Sequence, residues 1–383
     1  MRLIQKHNVF ESSLDRIRYL FDEFPNVIVG FSGGKDSTIC LQLCLKVADE
    51  KGRLPQKVLF LDQEVEWQTN IDYIRTVMND PRVDPMWMQV PLMMTNETSH
   101  TEHYLDTWAE GKDNEWMRTK EPNSYKEDKY NCYKFSDMFE KIIGVEFPDT
   151  PTCYIAGMRA EESPPRAVAV MHGATYKHIT YGKILDKKKL HYTFYPIYDW
   201  SYIDVWKAIE DNNWPYCGIY DRMYQLGIDI RNMRISNLNH ATALNSLMML
   251  QEIEPETWVK VCERLQGVNT IKHLSKASNQ VPKECPTMFT GGWKEYRDYL
   301  LENLITNKEH REMFRARIER QDKLFDVMYH KEKLYKVQVR SIMIADKEMI
   351  LMHNFERDPA VYGYIKWKTK GIAPTQKNKY VHG

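Results

Sequence analysis

Residues Asn26–Phe31 read Asn-Val-Ile-Val-Gly-Phe, a short and almost wholly apolar run that breaks straight into Ser32-Gly33-Gly34-Lys35-Asp36-Ser37. A run of this kind predicts a strand buried on both faces, as in the middle of a parallel α/β sheet. Residues 36–50 predict a helix, so the glycine-rich segment is a strand–turn–helix junction. Such a junction gathers backbone N–H groups at the positive end of a helix and makes an anion site. Gly33 and Gly34 let the backbone come close to a phosphate, Ser32 and Ser37 add hydroxyl donors, and Lys35 adds charge. Asp36 caps the helix and is the candidate ligand for Mg²⁺. Two other phosphate loops are excluded. The Walker A spacing is absent, and Gly30, Gly33 and Gly34 do not form G-x-G-x-x-G.

The alternation continues through the first half. Leu14, Ile17, Leu20, Phe21 and Phe24 fall at helical spacing, predicting a helix over 11–24 that Pro25 ends. Strands are expected at 58–61, 86–92 and 153–158, and helices at 68–78 and 133–143. Strands alternating with helices imply right-handed crossovers and a doubly wound, mostly parallel α/β sheet. The polar stretch 95–130, which also holds Trp108 and Trp116, predicts a lid, a binding loop or a disordered segment. Beyond about residue 235 the periodicity turns helical, at 241–252, 256–266, 293–305 and 308–328, with one more strand expected at Leu334–Met343. The expected division is an α/β domain over 1–235 and a mainly helical accessory domain with a basic tail over 236–383.

Composition narrows the class. With 53 basic and 53 acidic residues among 383, the surface as a whole is no polyanion trap. No run of about 18 apolar residues is present, so no membrane span is expected. The opening residues lack the apolar core of a secretory signal. Seven cysteines without a close-set framework suggest a reducing compartment, so a cytoplasmic protein is expected.

The loop resembles the S-G-G-x-D-S pyrophosphate loop of the PP-loop superfamily, which includes ATP pyrophosphatases and phosphoadenosine phosphosulfate (PAPS) reductases. Three further segments are similar to the PAPS reductase branch. Val58–Asn70 resembles its second strand, whose terminal aspartate, Asp62 here, lies beside the nucleotide. Gln63 and Glu64 stand where that family continues with Thr-Gly, and Glu64 with Glu66 reads either as a solvated loop or as a metal-holding pair. Gly157–Arg166 looks like the family's G-x-R-x-x-E-S-x-x-R. This resemblance places Gly157 at the nucleotide, makes Arg159 and Arg166 fork-shaped donors to phosphate or sulfate, and has Glu162 orient one of them. With Lys35 and Asp36, the two arginines are the expected catalytic set. Tyr195–Trp206 resembles a third family segment, with Ser201 and Asp204 as a helix cap, and Tyr220-Asp221 continues the likeness, which covers about 26–228.

The chain departs from that family in its thiols. A PAPS reductase carries its nucleophile in Glu-Cys-Gly-Leu-His, whereas here Glu284-Cys285 is followed by Pro286. The paired cysteines of the iron–sulfur variants are not assembled, so no cluster is expected. Cys132, Cys217 and Cys285 are the candidate sulfur-handling thiols, Cys153 could converge with the first two, and Cys40 and Cys44 read as core. His100 and His103 make a weak metal pair.

The resemblance thus implies a nucleotide-binding enzyme that takes ATP–Mg²⁺, cleaves between the α- and β-phosphates and adenylates an acceptor, for sulfur transfer or for another nucleophile. A thiol-dependent PAPS reductase using Cys285 and a regulatory protein that binds nucleotide without turnover are the alternatives. The architecture is similar to PAPS reductase-like proteins of mobile elements and phages with an added C-terminal domain, which implies a ParB-like DNA-binding partner. The tail lysines Lys366, Lys368, Lys370, Lys377 and Lys379, interleaved with Tyr364 and Trp367, read as a nucleic-acid contact or a solvated face. Lys187–Lys189 and Arg231 with Arg234 are further basic patches.

Overall fold

The computed structural model describes residues 7–96, 104–186, 190–235, 237–238, 244–265, 267–268, 282, 284–326, 331–343, 346 and 349–371. His100, His103, Lys187–Lys189, Lys377 and Lys379 lie outside the described residues. The chain divides into two compact units. One comprises 1–94, 106–238 and 245–264, the other 95–105, 239–244 and 265–383. The sequence boundary at 235/236 is therefore met by an interleaved division, in which most of the first two helices beyond it belong with the sheet.

The first unit opens with α1 (Val9–Glu23), whose start is fixed by Asn8 and Glu11 capping each other's backbone. Next come β1 (Asn26–Gly30), α2 (Lys35–Glu50), β2 (Gln56–Leu61), α3 (Gln68–Met78) and β3 (Val83–Met88). After the short strands β4 (Leu92–Thr95) and β5 (Tyr104–Thr107) the chain forms α4 (Phe135–Glu146), β6 (Thr152–Ile155), α5 (Pro164–Met171), β7 (Gly182–Ile184) and β8 (His191–Phe194). Helices α6 (Tyr202–Asn212), α7 (Ile219–Gln225), α8 (Leu244–Ile253) and α9 (Pro255–Arg264) follow. The six-stranded sheet runs β3-β2-β1-β6-β8-β7, parallel except for β7 against β8. Its register sets Val29 beside Val58 and Ile28 beside Tyr154. The expected doubly wound, mostly parallel sheet is what forms. Sequence reasoning did not anticipate β7 and β8.

Strand order reverses at β1. From it the chain runs outward through β2 and β3, then returns to build β6 and β8 on the other side. A crevice opens at such a switch point beyond the carboxyl ends of the strands. The loop after β1 sits there. Its helix α2 is buried along nearly its whole length, with Ile39, Cys40, Leu43, Cys44 and Val47 in the core beneath the sheet. Cys40 and Cys44 are packing residues, and burial pushes both thiols up.

The segment expected to be a lid or a loose loop is pinned where it is described. Trp108 is fully buried and donates its Nε1–H to the Asp62 carbonyl at 2.8 Å. The N-terminus of α3 is capped from far away in sequence. Glu254 accepts from the N–H groups of Gln68 (2.8 Å) and Thr69 (3.0 Å). That bond, and Arg222 donating to the Ile253 carbonyl at 2.9 Å, tie the end of α8 to the sheet unit.

The second unit holds α10 (Gly292–Asn303), α11 (Lys308–Leu324), α12 (Glu332–Met343), α13 (Ile350–Arg357) and α14 (Pro359–Lys370). The strand expected at Leu334–Met343 is helix α12. Its buried Leu334, Gln338, Ser341 and Ile342 fall at steps of four and three, and their shared burial decides against the strand reading of this apolar stretch. Tyr364 is fully buried and stacks on Phe325 at 5.4 Å, Trp367 packs in the same cluster, and Lys368 pairs with Asp326 at 2.6 Å. Tyr364 is therefore core, and Trp367 is partly buried against it. No helix among the described residues is long and apolar enough to cross a membrane.

Candidate functional site

A cavity of about 640 Å³ opens at the switch point, lined by the loop after β1, the end of β2, Gly157 to Arg166, and residues from α4, β8 and α7. Ser32, Gly34, Lys35, Asp36 and Ser37 form its floor, while Phe135, Phe139, Tyr154 and Tyr195 give it an aromatic wall.

The loop is held from several sides. Gly34 precedes the first turn of α2, and Ser37 Oγ donates back to the Gly34 carbonyl at 2.9 Å and accepts from the Ser32 N–H at 3.2 Å. Gly33 has φ +74°, a left-handed conformation that favours glycine, and a Cβ there would come within 1.9 Å of Asn70 Oδ1. Gly157 is needed for a different reason. A Cβ on it would meet the Asp36 backbone at 2.7 Å, so only glycine lets the segment after β6 cross the start of α2. Tyr220, from α7, accepts the Lys35 N–H at 3.0 Å, and burial holds its phenol neutral. Among the described residues no protein acceptor stands at the N–H of Gly33 or Gly34. Those are the donors an anion would take.

The charged residues divide into two groups. Arg159 is buried, donating to Asp36 Oδ1 at 2.6 Å and lying 3.4 Å from Glu161 and 3.9 Å from Glu162. It is a positioning residue for Asp36 and the loop. Expected to donate to phosphate, it is occupied by protein carboxylates instead. Arg166 and Arg234 line the cavity. Arg166 follows the Ser163 cap of α5 and pairs with Glu162, and Arg234 donates to the Glu162 carbonyl at 2.6 Å. Burial, then repulsion from Arg234, lowers the pKa of Arg166. Lys35 is likewise lowered by burial, though Asp36 at 3.2 Å supports its charge. A cluster of cations, with Lys35 buried and Arg166 and Arg234 exposed, whose carboxylates are already engaged is suited to an added anion. Of the basic patch expected at Arg231 and Arg234, both exposed, Arg234 lines the cavity while Arg231 pairs with Asp229 at 2.6 Å.

Asp62 is also differently placed. Its carboxylate is fully buried and accepts from Arg118 at 2.6 and 2.7 Å, Trp87 Nε1 at 2.8 Å and Gln89 Nε2 at 2.9 Å. It does not line the cavity; Gln63 and Glu66 do. Glu64, at φ 68°, turns inward to Arg264 at 2.6 Å and the N–H of Trp108 at 3.0 Å. Neither a solvated loop nor a metal pair results. Residues fit a protein-held Mg²⁺ poorly here, since both Asp36 oxygens are taken by cations and no group of three metal-donor side chains stands together among the described residues.

Of the expected thiols, Cys132 and Cys217 are not among the cavity's lining residues. Cys132 and Cys217 are buried, Cys217 with its pKa pushed up to about 12 by burial, and Cys153 lies in the sheet core. No cysteine is among the described residues lining the cavity. Cys285 is half-buried in the second unit.

A family model described as a phosphoadenosine phosphosulfate reductase domain matches residues 26–227, and one described as a domain of unknown function (DUF3440) matches 227–356. The uncharacterized protein YbdN of Escherichia coli strain K12 is 29% identical over 280 residues, which cover 69% of this chain and 66% of that protein. An adenosine 5′-phosphosulfate reductase of Lysinibacillus sphaericus strain C3-41 is 22% identical over 224 residues, 57% of this chain and 79% of the relative. Among solved structures, the PAPS reductase of Candida auris in a phosphate complex aligns at 14% identity and TM-score 0.32, covering 63% of this chain and 98% of that one. Yeast FAD synthetase with FAD aligns at 14% identity and TM-score 0.38, covering 72% and 87%. With its match spanning more than half of the sequence, the chain belongs to the phosphoadenosine phosphosulfate reductase domain family of the PP-loop superfamily.

Proposed function

We propose that the cavity binds ATP with its phosphates on the Ser32–Ser37 loop, cleaves it between the α- and β-phosphates and adenylates an acceptor. The observation that carries this reading is a cationic wall without a thiol. Gly34, Lys35, Arg166 and Arg234 line one cavity that no cysteine lines among the described residues, and the Gly33 and Gly34 N–H groups have no protein acceptor there among those residues. In such a transfer the acceptor's lone pair forms a bond to the α-phosphorus, and pyrophosphate leaves with the electron pair of the broken P–O bond. Fixed donors and arginines oppose the charge that gathers on the leaving oxygens. Arg159 contributes by holding Asp36, and Asp36 by holding Lys35.

Curated relatives named adenosine 5′-phosphosulfate reductase favour a second reading, reductive release of sulfite from a sulfonucleotide. That chemistry needs a thiolate at the sulfur, for which Cys285 is the candidate. The two are separated by incubating the protein with ATP, with adenosine 5′-phosphosulfate and with PAPS, with and without a thiol reductant and Mg²⁺, and resolving the products. AMP and pyrophosphate from ATP, with an adenylated acceptor when one is supplied, support adenylation. Thiol-dependent sulfite with ATP untouched overturns it in favour of reduction.

A further inference from the structure

Glu66 has none of the roles assigned above, yet it is on the cavity wall and only 7% exposed. Two anchored side chains adjoin it. Asp62 is fully buried and ion-paired with Arg118. Asn70, on the first turn of α3, lowers the Glu66 pKa against the larger opposing causes and donates its Nδ2–H to the Ser32 carbonyl at 3.1 Å. Asn70 Oδ1 has no partner among the described residues and lies against Gly33. Glu66 is thus one side chain away from the loop and shares its cavity. Two adjacent carboxyls in a dry pocket do not both ionise, and Arg118 is committed to Asp62. The proton falls to Glu66, whose pKa is raised to about 8 by burial first and the Asp62 charge second. A carboxylate here would repel a phosphate, whereas a carboxylic acid donates to one.

We propose that Glu66 contacts the bound nucleotide directly, donating its carboxyl O–H to a phosphate oxygen seated on the Ser32–Ser37 loop. The proposal rests on the nucleotide reading above. Asp62 from the end of β2, Arg118 from the segment after β5 and Asn70 from α3 act on Glu66, while Lys35, Asp36, Glu162, Arg166 and Arg234 share its cavity. Binding then takes up a proton wherever the free site has lost it.

The test is calorimetric titration of ATP between pH 7 and 9.5, in buffers of different ionisation enthalpy, with the wild type and Glu66→Gln. The wild type is expected to take up about one proton per ATP near pH 9, and to lose affinity about tenfold per pH unit above pH 8. Glu66→Gln is expected to lose both the uptake and the slope. Deprotonation of Lys35 would also weaken binding at high pH, but that slope would persist in the variant, and a persistent slope overturns the proposal. So does a wild type that binds ATP without proton uptake, a result that needs no variant. A wild type that fails to bind ATP at pH 7 defeats the nucleotide reading and this proposal together.

Discussion

At the scale of single residues, the acidic cluster after β2 shows how neighbours decide a side chain's chemistry. Asp62, Glu64 and Glu66 stand at alternate positions, yet Asp62 is held by Arg118 and Glu64 by Arg264, while no cation among the described residues is ion-paired with Glu66. Burial keeps Glu66 protonated up to about pH 8, while an unfolded chain releases that proton near pH 4.5. Between those values the folded state holds more protons than the unfolded state, so its stability falls as pH rises. Replacing Glu66 with Gln removes this term. The stability of Glu66→Gln, read from thermal melting, should match the wild type near pH 4.5 and exceed it increasingly up to pH 8, by on the order of a few kcal/mol at most. A gap that does not change with pH would contradict the assignment. None of this was legible in the sequence, because Arg118 and Arg264 reach the cluster from 54 and 200 residues beyond Glu64. Arg159 and Arg166 illustrate the same limit. The family resemblance marked both as anion ligands, but only contacts distinguish the one that holds Asp36 from the one that lines the cavity.

At the scale of elements, the site depends on how closely the segment after β6 crosses the start of α2. Gly157 sits against the Asp36 and Ser37 backbone, where no flexible side chain is available to give way. Gly157→Ala should therefore lower stability by about 1–3 kcal/mol, the usual scale of overpacking, and shift the loop. Thermal melting and ATP affinity would both fall; unchanged values for both would contradict the close crossing. The elements nearest this junction were the most legible ones. β1 is a continuous apolar run, α2 follows the glycine turn, though Gly34 rather than Asp36 stands at its cap, and Pro25 ends α1, whose Asn8 cap lies just before the expected start. The less legible elements are those whose identity is decided by distant partners. Strands β7 and β8 are short and carry His191, Tyr192 and Thr193, so they lack the apolar run that marked β1. In α12 the apolar residues suggested a strand, and only the shared burial of Leu334, Gln338 and Ile342 shows the helical face.

At the scale of the whole molecule, the cavity is built wholly from residues of the first unit, and the second unit has cores of its own around Phe314 and Phe325. The parallel order of the sheet was readable because alternation of strands and helices admits few topologies. The interleaved division was not, because it rests on links such as Glu254 to the start of α3 that no local pattern announces. Function at this scale rests on one claim, that the loop between β1 and α2 is an anion nest. Gly34 offers a clean test, since a Cβ there meets nothing closer than Ser32 Oγ at 3.4 Å and its φ is not positive. Gly34→Asp therefore fits the fold while placing a carboxylate where the phosphate would lie. The decisive measurement is the calorimetric affinity of the wild type and of Gly34→Asp for ATP, with thermal melting of both. The account predicts binding by the wild type, a loss of about 100-fold or more in the variant, and melting temperatures that agree within a few degrees. ATP bound equally well by a folded Gly34→Asp would contradict it.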